Sequence, residues 1–127
     1  MKKGSDKVEE SNLLSFSTTE DLKVFHHGIY EYKKGVRDLI LITEPAKHLE
    51  QIKKRLITEK ISFVIQKLSS SKINVFFGAS DCILVVRSFG TKKLNELSPE
   101  QDFMLGIMLG YSRKEQCKRF LMLKEAV

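Results

Sequence analysis

The chain has no tryptophan, only two prolines and only two cysteines among its 127 residues. Each shortage excludes something. Cys82 and Cys117 are far apart, which rules out a disulfide framework and the usual zinc knuckles. No apolar run approaches the ~20 residues that a membrane span needs. The N-terminus has no charged segment followed by an apolar core, so no secretory signal is visible and two reduced thiols in the cytoplasm are expected. The nucleotide fingerprints, GxGxxG and the GK[ST] loop, are missing as well. There is no internal repeat and no low-complexity tract. No cofactor is expected.

What is present is an ordinary single-domain composition: 14.6 kDa, 42% apolar and 30% charged residues. The formal charge is +6. In the first 17 residues Lys2, Lys3 and Lys7 cancel Asp6, Glu9 and Glu10, so the excess belongs to the rest of the chain. A positive domain is drawn to acidic surfaces. Signs are mixed along the sequence, however, and the bland reading, charge for solubility, is the favoured one.

Residues 1–16 alternate charges with small polar residues and read as a poorly ordered tail, leaving 17–127 as one α/β domain of the α+β type. Leu22, Phe25, Ile29 and Tyr32 share a helical stripe over 19–33, with Ser17 and Glu20 at capping-box spacing, although a strand at 29–32 stays open. Residues 39–43 read as a strand buried on both faces. Thr43 and Pro45 then open a helix whose core stripe is Ala46, Leu49, Ile52, Leu56 and Ile57. Residues 62–67 and 73–77 are strands joined by Ser69-Ser70-Ser71 as an antiparallel hairpin. In 81–89 the apolar run argues strand; Ser80 as cap, Asp81 in the first turn and Gly90 beyond the end argue helix, which we adopt. Ser98-Pro99-Glu100-Gln101 and Ser112-Arg113-Lys114-Glu115 open two more helices. The expected order is α-β-α-β-β-α-α-α around a small three-stranded mixed sheet.

The segments FHHGIYEYKKGVRDLILITEP and SPEQDFMLGIMLGYSRKEQCKRF resemble a family of small bacterial proteins of unknown function, over roughly residues 22–122. The resemblance implies three strands, five helices and a homodimer. A flavodoxin, as an acidic protein partner, is a further implication. It carries over no catalytic residue.

The residues themselves point to few chemical sites. His26 and His27 lie about 100° apart on a helix, a poor pair for one metal, and His48 is the only other histidine. Cys117 sits among basic residues that could lower a thiol pKa, but Phe120 and Leu121 flank it and a buried structural role is expected. At Gly78-Ala79-Ser80-Asp81 a plain helix cap outweighs an anion site. The basic residues Lys53, Lys54, Arg55, Lys118 and Arg119 leave the core stripes. Solvated faces are the favoured reading of them, and an acidic partner comes next. The aromatics belong mostly to core stripes and no helix-turn-helix pair is convincing, so nucleic acid is the weaker alternative and a small enzyme weaker still. The helix 99–110 carries no charge after Asp102 and is apolar all round. Its own chain cannot readily cover every side, so a twofold dimer is expected, with Leu105, Met108 and Leu109 as the patch. The function expected is a non-enzymatic, homodimeric protein-interaction module.

Overall fold

A computed structural model describes residues 22–126. The expected tail, and the caps at Ser17 and Glu20, lie outside the described residues. The chain divides into two compact units, one reaching Glu31 and one beginning at Tyr32. The first contains most of α1 (Lys23–Lys33), in which Phe25, Gly28 and Ile29 are buried on one stripe. Residues 29–32 are therefore helical, not extended.

The second unit is built on three strands: β1 (Leu39–Pro45), β2 (Ser62–Lys67) and β3 (Lys72–Gly78). Their order is β1-β3-β2. β3 pairs antiparallel with both neighbours. The sheet is thus antiparallel throughout, where a mixed one was expected. The Ser-rich turn folds β3 back between β1 and β2, so no two parallel strands touch. β3, the central strand, is buried from Ile73 to Gly78, whereas no residue of β2 is. That contrast marks β2 as an edge. β1 is the other edge: Leu39 and Ile40, which face opposite ways, are fully buried, but Leu41, Ile42 and Thr43 are not, so the strand is enclosed on both faces only at its start.

The connection from β1 to β2 carries a 3-10 turn (Ala46–His48) and α2 (Leu49–Thr58), with Ile52 and Leu56 fully buried. The strand runs on to Pro45, and Thr43 does not cap this helix. Its hydroxyl donates instead to Asn74 Oδ1 at 2.7 Å, across the sheet. β3 leads into α3 (Ser80–Ser88), so 81–89 is helical as read from its punctuation. Ala79 occupies the cap position and Ser80 lies inside the helix. A short 3-10 turn (Leu94–Glu96) precedes α4 (Pro99–Met108) and α5 (Arg113–Ala126). Ser98 caps α4 reciprocally with Gln101, at 3.0 and 3.1 Å, as the capping-box spacing requires. Gly110, at φ +83°, turns the chain between α4 and α5 in a conformation that a side chain would resist.

Leu39 of β1 and Phe76 of β3 point to one face of the sheet. Ile83, Val86 and Phe89 from α3 and its end, with Leu105 and Leu109 from α4 and its end, close over them as one core cluster. Leu105 and Leu109 are only 6% and 5% exposed. They cannot form an accessible dimer patch, because the chain's own sheet and α3 already cover them. Met108 is half-buried against the same cluster. α5 is attached differently. Its partner is α4, through Phe103 and Phe120 with rings 5.7 Å apart, Arg119 bidentate on Asp102, and Lys124 on Glu100.

Candidate functional site

The open edge of β2 is where basic residues gather. Leu68 N–H donates to Lys72 O at 2.9 Å, which sets the phase of the β2–β3 ladder. Ser62, Val64 and Gln66 therefore exchange hydrogen bonds with β3. Phe63, Ile65 and Lys67 turn their N–H and C=O groups outward. A groove of about 540 Å³ runs along this edge, touching every residue from Val64 to Leu68. Successive residues of a strand face opposite ways, so a groove that touches five in a row follows the strand's edge rather than one face.

The far wall is the end of α3 and the turn after it: Val86 and Arg87, then Gly90 to Leu94. Two contacts tie wall to strand, and a third ties the wall to α4. Arg87 Nη2 donates to Phe63 O at 3.3 Å, taking one outward carbonyl. Gln66 Nε2 donates to Lys92 O at 3.1 Å. Lys92 Nζ donates to Gln101 Oε1 at 3.1 Å. The floor includes Asn74, which is 3% exposed and lies in register between Thr43 and Gln66. This polar row sits beside the apolar row of Leu41, Phe76 and Val64.

Four cations line the groove, Lys67, Arg87, Lys92 and Lys93, and no acidic side chain does. Among the described residues none of the four meets a carboxylate within ion-pair distance.

The basic residues singled out from the sequence stand elsewhere and are differently placed. Lys53 is half-buried and Lys54 exposed on α2. Arg55 is bound to Glu59 at 3.2 Å. On α5 Lys118 lies 3.9 Å from Glu115, and Arg119 grips Asp102 at 2.7 Å, an ion pair that raises the guanidinium pKa. Three of the five thus have acidic neighbours of their own. Sequence reasoning passed over Lys67, Arg87, Lys92 and Lys93. A usable signal did exist: Asn74, alone polar within the apolar run Ile73–Phe77, marks the polar floor on the Phe76 face.

The other candidates also resolve. His27 is exposed and lies 3.6 Å from Glu31, and its ring stacks on Tyr30. His48 is buried, with Nδ1 3.3 Å from Gln51 Oε1. Among the described residues no group of three His, Cys, Asp or Glu side chains is placed to hold a metal ion. No described helix is long and apolar enough to cross a membrane. Cys117 is exposed, contrary to expectation, because α5 turns Gln116, Arg119 and Phe120 toward α4 and leaves the thiol outside. Cys82 is partly buried against the core, and burial, then Asp38 and Asp81, push its thiol pKa up.

No curated protein matches the chain in sequence. A family model described as a protein of unknown function, DUF2023, matches residues 23–123, and the chain belongs to that family.

Proposed function

We propose that this protein is a non-enzymatic binding module of the cytoplasm, a homodimer whose partner is an acidic protein. The observation that carries the reading is the groove beside β2: four cations, no lining carboxylate and a partly apolar wall. Such a surface attracts a polyanion from a distance and orients it on arrival. No aromatic side chain lines the groove, so it offers no platform for stacked bases, and an acidic polypeptide suits it better than a nucleic acid. Both cysteines are free thiols, in keeping with a reducing compartment. For the dimer, the support is the apolar surface that α4 and α5 leave uncovered. Met104, Ile107, Leu121 and Met122 are all exposed, and they replace Leu105 and Leu109 as its contacts.

The test uses defined probes and charge reversal. An acidic polypeptide should bind in low salt and weaken as salt rises, and duplex or single-stranded DNA should bind more weakly. Lys92→Glu with Lys93→Glu should abolish binding of the acidic probe, whereas Lys53→Glu with Lys54→Glu should leave it. DNA binding tighter than the acidic probe, or an effect of the α2 pair equal to that of the groove pair, overturns the reading. Sedimentation at micromolar concentration decides the dimer: a species of one chain's mass throughout refutes it.

A further inference from the structure

We propose that the acidic partner is bound as an extended segment that adds to the sheet as a fourth strand, along the outer edge of β2. This rests on the reading of the groove as an acidic-protein site and specifies how that site works.

The edge is built for it in three ways. The ladder phase turns the N–H and C=O of Ile65 and Lys67 outward, two residues apart, which is the repeat at which a neighbouring antiparallel strand forms its paired hydrogen bonds. Among the described residues nothing pairs with those four groups. The side-chain environment supplies the specificity. Lys67 lies on the edge itself, Arg87 closes the Phe63 end by taking that carbonyl, and Lys92 and Lys93 form the far wall. An edge strand normally needs protection from unspecific pairing, and charged side chains are one way to give it. Here all the charge is of one sign, so the edge rejects basic and self partners but accepts an acidic one. A second copy paired edge to edge would set these cations against the same four, so the edge is not the dimer contact. In β-strand addition the main chain provides affinity and alternate side chains provide selection. Acidic residues at every second position of the bound segment would meet the far wall.

The experiment compares two peptides on the full-length protein. In one, Glu and Val alternate. The other is identical but N-methylated at alternate residues, so that it keeps its charge and loses the donors that a strand needs. The plain peptide should bind, and its binding should protect the Ile65 and Lys67 amides from hydrogen exchange. The methylated peptide should bind about tenfold or more weakly, the loss of two or so hydrogen bonds. Ile65→Pro should weaken the plain peptide similarly, because the lost N–H is not part of the β2–β3 ladder. Equal binding of both peptides without amide protection overturns strand addition and leaves the acidic-partner reading standing. No binding of either peptide overturns both. Protection of Ile65 and Lys67 in the free protein also overturns the proposal, since the edge would already be occupied. So does displacement of the plain peptide by inorganic phosphate at similar concentration, since the groove would then be a simple anion site.

Discussion

Truncation of Phe120 to alanine should release α5 while leaving the rest of the fold intact. α5 packs on α4, and its Leu121 and Met122 are 61% and 69% exposed. The clasp has two parts. Arg119–Asp102 is a bidentate pair, but Arg119 is more than half exposed, and a solvated pair is worth no more than about 1 kcal/mol. Phe120 is half-buried and meets Phe103 edge-on at 63°. A fully buried Phe→Ala change costs about 3–5 kcal/mol, so half of that, with the ring pair lost as well, gives about 2 kcal/mol. That corresponds to a roughly 30-fold shift in the equilibrium between docked and undocked helix. Hydrogen exchange resolved by residue measures it. Amides of α5 should exchange about 30-fold faster in the variant, while those of β3 keep their rates, because local openings need not pass through global unfolding. If β3 amides accelerate as much as those of α5, α5 and the sheet unfold as one unit and the reasoning fails. If neither changes, Phe120 is not the clasp.

Gly78→Ala should destabilise the protein by several kcal/mol in chemical denaturation: its φ of +148° disfavours any side chain, and the new Cβ would strike the carbonyl oxygen of Asp38, which is backbone and already accepts from Ala79 N–H. Acid stability should carry a signature of Glu59. Lys33 donates to its carboxylate at 2.6 Å and Arg55 adds to this, and together they outweigh the opposing effect of burial and hold its pKa below the ordinary value. The folded pKa is the lower one, so the stabilisation is present above the unfolded carboxylate's pKa, near about 4.3, and is lost as pH falls through the folded value. Urea unfolding between neutral and acid pH should show that limb, and Glu59→Gln should flatten it. A thiol reagent should label Cys117 at the rate of an exposed model thiol and Cys82 far more slowly. Equal rates would mean that α3 opens readily enough to leave Cys82 as accessible as the exposed Cys117.

The parts of this fold that could be read in the sequence are those whose causes are local. Ser98 with Gln101 is a capping box in sequence and in space, and residues 81–89 read as the helix that the structure places at Ser80–Ser88 because the Gly90 stop and first-turn Asp81 outweigh an apolar run that any buried element would share. The hairpin of β2 and β3 follows from one short turn. What escaped was decided across the sheet. Thr43 has the look of a cap, but Asn74 lies opposite it in register and takes its hydroxyl, so the strand continues to Pro45. Cys117 has apolar neighbours in sequence, but α5 packs on α4 and spends the face it turns there on Gln116, Arg119 and Phe120. The basic groove was the hardest to see. Its cations come from a strand end, a helix and a turn, between positions 67 and 93, and only the antiparallel return of β3 and the fold-back of α3 bring them to one edge. The adjacent Lys53-Lys54-Arg55 looked stronger because nearness in sequence stands out, yet proximity on a helix also put Glu59 one turn from Arg55. A cluster assembled by topology escapes that local neutralisation, which is why, among the described residues, none of the four cations at the edge of β2 meets a carboxylate whereas Arg55 on α2 does.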